Sequence, residues 1–361
     1  MHKLHLQKTD GRNLHLYSRS AIEGVSSAPS PQSEPVVAKP HLRWHPLRAE
    51  WVAYASHRQG RTFLPPPEYN PLKPSRSEEF PTELPVGNYD VAVFENLFPT
   101  LTMNCGEAPA LSVPTRPALG ACEVVVFTQD PSSSLGQLPL DHLELLIRVW
   151  GERYQVLSQN PAIHYVMPFE NRGVEVGVTL HHPHGQIYSY PVVPPLPAQQ
   201  IAQLKAHAEK TGRGLLEDLI QMERKEQERM VFAGESVSAF VPICARYPYE
   251  VWIAPHRAAP SLAELTDLEI RDLARALKTV LLKYDGLWRR PFPYLMVIHQ
   301  APTQGEDRQY SHVHFEFYPP YRTESRLKFL AGTELGAGLF ASDSLPEAKA
   351  AELRAVEVKL E

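Results

Sequence analysis

The stretch VGVTLHHPHGQIYSYP, Val176 to Pro191, carries three histidines in a segment of alternating apolar character, and YSHVHFEFYPP, Tyr310 to Pro320, repeats the arrangement later in the chain. Both predict β-strands, in which alternate side chains share a face. Working outward from the first, IHYVMPFEN (Ile163 to Asn171) reads as a strand running into a loop. LDHLELLIRVWGERYQVLSQ (Leu140 to Gln159) has apolar residues at helical spacing, and YDVAVFENLFP and CEVVVFT upstream read as strands. Around the second, PYLMVIHQAPT is a strand, Leu265 to Trp288 an amphipathic helix, and SVSAFVPIC and YEVWIAPH are strands. The two halves follow one order, strand, helix, strand, gap and H-x-H strand. The expected fold is therefore α+β, built from two copies of one unit, each an antiparallel sheet with helices packed on it.

A chain of 361 residues is long enough for two domains. The Ser- and Pro-rich segment Ala21 to Pro40 predicts a flexible N-terminal arm over residues 1–40. The first unit then spans 41–194 and the second 195–361, the latter opening on a helical run from Pro195 to Arg229. With 43% hydrophobic and 21% charged residues the chain is an ordinary globular one. Its 36 Lys and Arg against 41 Asp and Glu leave a net charge of -5, which offers no electrostatic footprint for nucleic acid or an anionic membrane. Cys105, Cys122 and Cys244 lie far apart, which fits reduced thiols in a cytoplasmic protein rather than a disulfide framework. Neither a membrane-spanning run nor the apolar core of a signal peptide is present in the sequence, so the expected location is the cytoplasm.

His182-Pro183-His184-Gly185-Gln186 is the sharpest chemical signal. On one strand His182, His184 and Gln186 would project together, two imidazoles and a carboxamide in one site. A neutral imidazole, with an ordinary pKa of about 6.5, is a nucleophile, base or metal ligand near neutral pH. Gln186 could donate to a phosphoryl oxygen, and Gly185 would let the backbone approach a ligand closely. The set suits phosphoryl or nucleotidyl transfer.

With the upstream context the chain resembles the galactose-1-phosphate uridylyltransferase family of the histidine-triad superfamily. The family pattern F-E-N-x-G, a spaced Gly, a small hydroxyl residue and H-P-H-G-Q is matched from Phe169 to Gln186. RWHPLRAEWVAYASHRQGR (Arg43 to Arg61), VFENLF (Val93 to Phe98), RYPYEVWIAPH, FPYLMVIHQAP, FYPPYR and LKFLAGTE match further family segments, over about residues 43 to 335. The resemblance implies two histidine-triad-like units in a homodimer that transfers UMP from UDP-glucose to galactose 1-phosphate. His184 would be the uridylylated nucleophile and Gln186 its phosphoryl-binding neighbour, with His182 as the third catalytic position. Arg58, Arg61, Asn96, Asn171, Gly177 and Thr179 match uridine- and phosphate-binding positions. Lys328, Phe329, Gly332 and Glu334 match a loop that reaches the hexose from the partner subunit.

Departures from the family pattern concern metals and the nucleotide base. Relatives hold zinc with two cysteines, a histidine and the first histidine of HPH; here Asn70, Lys73 and Pro131 replace three of the four and His182 remains, so N-terminal zinc is expected to be absent. The second family site, for iron or zinc, is partly kept: His299 matches one ligand and the H-x-H pair falls on His314 and Glu316 or on His312 and His314, while Gln200 stands where relatives have a glutamate. A divalent metal could bind there, and no cofactor is required for the chemistry. Leu97 replaces an Asp of the uridine loop and opens the base preference, which keeps an ADP-sugar or dinucleotide phosphorylase or hydrolase as an alternative, and the lost zinc ligands keep a non-catalytic nucleotide-binding module as another.

Overall fold

The computed structural model describes residues 1–35, 37–60, 65–66, 69–76 and 79–360. In chain order the strands are β1 (His2–Gln7), β2 (Asn13–Ser18), β3 (His41–His45), β4 (Glu50–Tyr54), β5 (Val91–Glu95), β6 (Thr115–Pro117), β7 (Ala121–Val126) and β8 (Tyr165–Arg172). They continue with β9 (His184–Tyr190), β10 (Met230–Ala233), β11 (Val237–Phe240), β12 (Val251–Pro255), β13 (Tyr294–His299), β14 (His314–Tyr318), β15 (Tyr321–Thr323) and β16 (Arg326–Leu327). The α-helices are α1 (Leu140–Ser158), α2 (Pro195–Thr211), α3 (Leu215–Glu226), α4 (Asp267–Leu287) and α5 (Pro346–Ala355).

Eleven strands form one sheet in the order β1-β2-β5-β7-β9-β8-β13-β14-β12-β11-β10. All its pairings are antiparallel, from β1 with β2 to β10 with β11. The order exposes the duplication: β5-β7-β9-β8 reads outward to inward in the first half, and β13-β14-β12-β11 is the same series reversed in the second. The halves were expected to carry separate sheets. They share one, because β8 and β13 pair across the junction with Leu295 opposite Asn171 and Val297 opposite Phe169.

α1 and α4 cover one face. Their apolar stripes, among them Leu143, Leu146, Trp150, Leu273, Leu277 and Leu281, form the main buried core together with Val125, Ile187, Phe315 and Phe317 from the sheet. Trp150 meets Phe127 of the first half and Phe315 of the second edge-on, at 6.1 and 6.2 Å between ring centroids, so one aromatic joins the two units. α4 is started by a reciprocal cap in which Thr266 accepts from the Glu269 backbone and Glu269 accepts from that of Thr266.

The opposite face carries the histidines. In an antiparallel pair directly opposed residues point the same way. His184 opposes Val126 and Gln186 opposes Val124, so both lie on the face of the second core, built from Leu14, Leu16, Ala92, Phe94, Val124 and Val126. Leu216 and Ile220 of α3 cover the same face in the second half, against Phe240 and Ala254.

Two expectations are corrected. Residues 1–40 are not a flexible arm: β1 and β2 form a hairpin whose second strand pairs with β5, and the following segment buries Ala28, Ser30 and Ala38. Leu4 and Leu6 on β1 and Leu14 and Leu16 on β2 supply an apolar face that the Ser- and Pro-rich stretch after them had obscured. The helical run from Pro195 to Arg229 is two helices, divided where Gly212 takes a positive φ of 70°. Among the described residues no helix is long and apolar enough to cross a membrane.

Candidate active site

β9 begins at His184, one residue after Pro183, so His182 precedes the strand instead of sharing its face with His184 and Gln186. Its ring is buried and fully engaged. Nε2 lies 2.7 Å from the carbonyl oxygen of Thr128, to which only an N–H can donate, and Nδ1 therefore accepts from the Asn70 amide at 3.1 Å. Burial lowers the His182 pKa to about 4, so the ring is neutral at neutral pH.

His184 is half-buried at the cavity wall. Its Nδ1 lies 2.7 Å from the carbonyl oxygen of His182, so Nδ1 carries the proton and Nε2 keeps the lone pair. Burial also lowers the pKa of this ring, against the opposing effect of the carbonyl. The result is a neutral imidazole whose free nitrogen is a nucleophile and whose other nitrogen is fixed by its own chain.

Two cavities meet at His184, which together with Leu180 lines both. One, of about 150 Å³, gathers Gln186, Asn96, Arg58 and Thr179 with an apolar wall of Phe94, Leu97 and Leu72. The other, of about 630 Å³, includes Asn171, Gly173, His182 and the basic Arg289 and Arg290. In the first, Asn96 Nδ2 lies 3.5 Å from Gln186 Oε1, while Asn96 Oδ1 accepts from the Phe98 backbone at 2.8 Å and shapes the loop after β5. Arg58 donates to the Phe98 carbonyl at 2.6 Å. Asn171 holds the glycine loop through Nδ2 and the Val176 carbonyl, 3.1 Å apart, while its Oδ1 is buried without a partner. Gly177, at φ 80°, is at the exposed end of that loop. Arg61 lies outside the described residues.

Gly185 does not face a ligand. A Cβ there would stand 2.8 Å from the Phe127 ring and 2.8 Å from the Phe169 carbonyl oxygen, on the helix-covered face, so the glycine serves sheet packing. Lys328, Phe329, Gly332 and Glu334 are absent from both cavities. Lys328 pairs with Glu334 at 3.7 Å, Glu334 accepts from the backbone of Ala331 and Ala341, and Phe329 is 75% exposed.

The second unit repeats the scaffold. His314 Nδ1 lies 2.8 Å from the His312 carbonyl, and His312 Nε2 lies 2.8 Å from the Pro255 carbonyl, as His184 and His182 do in the first unit. Val297 opposes Glu316 as Phe169 opposes Gln186, so Glu316 occupies the place of Gln186, and His299, opposite His314, the place of Asn171. His299, His314 and Glu316 bring one ligand atom each within 4.8 Å of one another. His312, one of the four expected metal residues, is not in this group; it precedes β14, with its Nε2 2.8 Å from the Pro255 carbonyl.

The donor set fits a cation. With Nδ1 of His314 donating to a carbonyl, its Nε2 presents a lone pair 3.1 Å from Oε1 of Glu316, two acceptors that need a proton or a metal between them. Nε2 of His299 is buried without a hydrogen bond, 3.8 Å from Oε2 of Glu316. Burial lowers the His299 pKa to about 4 and leaves its ring neutral. Burial disfavours the Glu316 anion, but with a proton between it and His314 Nε2 the hydrogen bonds from His314 and Tyr318 outweigh that and hold its carboxyl below the usual range. Gln200 stands at this site too, its amide donating to Glu316 at 2.8 Å.

Sequence reasoning missed the Asn70 to His182 bond and the N-terminal hairpin. The bond joins residues that only the fold brings together, and the alternating leucines of the hairpin were masked by the Ser- and Pro-rich stretch after them.

Known proteins resemble this chain over most of its length. The models of the galactose-1-phosphate uridyl transferase N-terminal and C-terminal domains match residues 31–194 and 200–360. A galactose-1-phosphate uridylyltransferase of Thermotoga maritima is 37% identical over 334 residues, 88% of this chain and 99% of that protein. One of Streptomyces lividans is 34% identical over 89% of this chain and 88% of that protein. A solved uridylyltransferase structure superposes with a TM-score of 0.77 at 35% identity over 88% of this chain and 98% of the other. An ADP-glucose phosphorylase from Arabidopsis thaliana with bound ADP-glucose gives a TM-score of 0.69 at 25% identity over 89% and 99%. The chain belongs to the galactose-1-phosphate uridylyltransferase family.

Proposed function

We propose that the protein is a UDP-glucose–hexose-1-phosphate uridylyltransferase acting by double displacement on His184. The observation that carries this reading is the hydrogen bond from His184 Nδ1 to the His182 carbonyl, which leaves Nε2 unprotonated and directed by the strand at the junction of two cavities. Nε2 attacks the α-phosphorus of UDP-glucose, the bond from that phosphorus to the bridging oxygen breaks, and glucose 1-phosphate leaves. The imidazole now carries phosphorus on Nε2 and a proton on Nδ1, and the His182 carbonyl stabilises that positive ring. A phosphate oxygen of galactose 1-phosphate then attacks the same phosphorus, the P–N bond breaks, UDP-galactose forms and His184 returns neutral. Two displacements of similar difficulty replace one hard step. Gln186, Thr179 and Arg58 line the cavity at the phosphoryl group and supply donors to its oxygens.

We infer a homodimer for the same reason the family suggests one. Lys328 to Glu334 line neither cavity, and Phe329, Leu330, Leu335 and Leu339 form an exposed apolar run that a second copy would cover. The units 41–194 and 195–361 would then each contribute to both sites. A divalent ion, if held, is held by His299, His314 and Glu316, with Gln200 beside them; it would fasten β13 to β14, and no step of the transfer uses it. At the first-unit position the residues do not fit zinc, because Asn70 covers the His182 lone pair.

Leu97 on the wall of the smaller cavity favours one second reading, transfer of an adenylyl group to phosphate, the activity named for the plant neighbour. Product analysis with UDP-glucose plus galactose 1-phosphate, against ADP-glucose plus phosphate, tests the proposal. Turnover confined to the second pair would overturn it.

A further inference from the structure

The N-terminal family-model match begins at residue 31, so the β1–β2 hairpin lies outside the matched segment. Yet its turn lies against the smaller cavity at His184. Arg12 Nη1 donates to the Glu95 carbonyl at 2.7 Å, immediately before Asn96; Nη2 reaches Glu83 Oε2 at 2.8 Å and Ser30 Oγ at 3.0 Å, and Nε reaches Asp10 at 2.7 Å. Lys8 donates to the Glu83 carbonyl at 2.7 Å and pairs with its carboxylate. The Lys8 ammonium also sits 4.5 Å from the centroid of the Phe94 ring, and the Arg12 guanidinium 5.9 Å from it. Lys8, Asp10, Ser30 and Glu83 are all buried. Phe94, Glu83 and Pro31 are themselves walls of the cavity that holds His184 and Gln186.

Two cations and two carboxylates buried together cost more to desolvate than an apolar plug of the same volume, so stability alone is a poor explanation for them. What they do is fix positions. The charge of Glu83, on the wall of a phosphate-binding cavity, is cancelled by Lys8 and Arg12, and the Glu95 carbonyl is gripped one residue before Asn96. We propose that the turn from Lys8 to Arg12 is a positioning element for the nucleotide end of the site, with Arg12 setting Asn96 and the Phe94 wall for the donor nucleotide. This rests on the reading of the cavity as a nucleotide site. Arg12 touches no reacting atom, so its loss should weaken donor binding and leave the chemical step in place.

The test compares wild type with Arg12→Ala and Arg12→Lys, and with Leu16→Ala, which removes a buried apolar hairpin side chain that makes none of these charged contacts. UMP and AMP are titrated against each by calorimetry, and kcat and KM for UDP-glucose are measured below the melting temperature of every variant. Arg12→Ala should bind UMP on the order of tenfold more weakly and raise KM by a similar factor, with kcat within about twofold, as expected for one lost charge-assisted contact. Arg12→Lys, which keeps the charge but cannot span Glu95 and Glu83 together, should fall between, and it serves in place of Arg12→Ala if that variant does not fold. Leu16→Ala should lower the melting temperature with affinity unchanged. Wild-type affinity in Arg12→Ala, or an equal loss in Leu16→Ala, would overturn the inference. Wild type that binds AMP and not UMP overturns the uridine reading alone, and the same series with AMP then decides the role of Arg12. Binding of neither nucleotide removes both.

Discussion

Asn70 Nδ2 lies 3.1 Å from Nδ1 of His182, on the nitrogen whose lone pair a metal at this place would need. With Nε2 given to Thr128, the ring has no free ligand atom. Elemental analysis of the purified protein should therefore find at most one divalent ion per chain. His299→Ala should remove it, while Asn70→Ala should leave the count unchanged. Two equivalents per chain would contradict this.

The acid limb of the first half-reaction should lie at unusually low pH. Burial lowers the pKa of His184, so its neutral, nucleophilic form persists below the ordinary imidazole value of about 6.5. The single-turnover rate of uridylylation should be level from neutral pH upward and fall with a midpoint below that value. A midpoint above it would show a ring that is not desolvated. His182, His299 and His312, each lowered to about 4 by burial, add an acid-labile fold. Between about 6.5 and 4 the unfolded chain binds the more protons, so stability falls as pH falls through that window and is complete above it. Chemical denaturation at a series of pH values reads this directly.

Gly185→Ala should be damaging without touching substrate. The new Cβ would meet the Phe169 carbonyl, part of the β8 ladder, which cannot yield like a side-chain tip. Overpacking of this kind costs about 1–3 kcal/mol, readable as a lower urea midpoint, and the strand shift should slow uridylylation as well. Unchanged stability would mean that the sheet at Phe127 has more room than its geometry shows.

Mixing two inactive chains tests the shared site. His184→Gly supplies an intact hexose loop, and a Lys328→Ala/Glu334→Ala chain supplies an intact nucleophile. If the loop serves its partner, heterodimers regain one working site in two. Subunit exchange without recovery, or full activity in a sedimenting monomer, would assign the loop to its own chain.

Much of this was legible in the sequence. The helices at Leu140–Ser158 and Asp267–Leu287 and the two H-x-H strands announce themselves by local periodicity. Pairing between distant strands does not, which is why the junction of β8 with β13 and the single sheet were hidden. The hairpin was hidden for another reason: Leu4, Leu6, Leu14 and Leu16 alternate as strands should, but the Ser and Pro residues that follow suggested an arm. At the site, the motif named His184 and Gln186, whereas strand register decided the rest. It turned Gly185 toward the helices, left His182 ahead of β9, and excluded His312 from the His299, His314 and Glu316 group.

Intact-mass spectrometry of the protein mixed with UDP-glucose alone tests the central claim most directly. In the absence of an acceptor, the wild-type chain should gain the mass of one uridylyl group and lose it again on addition of galactose 1-phosphate. His184→Gly should gain nothing while still binding UMP. An adduct on His184→Gly, or wild-type turnover with no adduct at any time, would contradict the assignment of His184 Nε2 as the nucleophile.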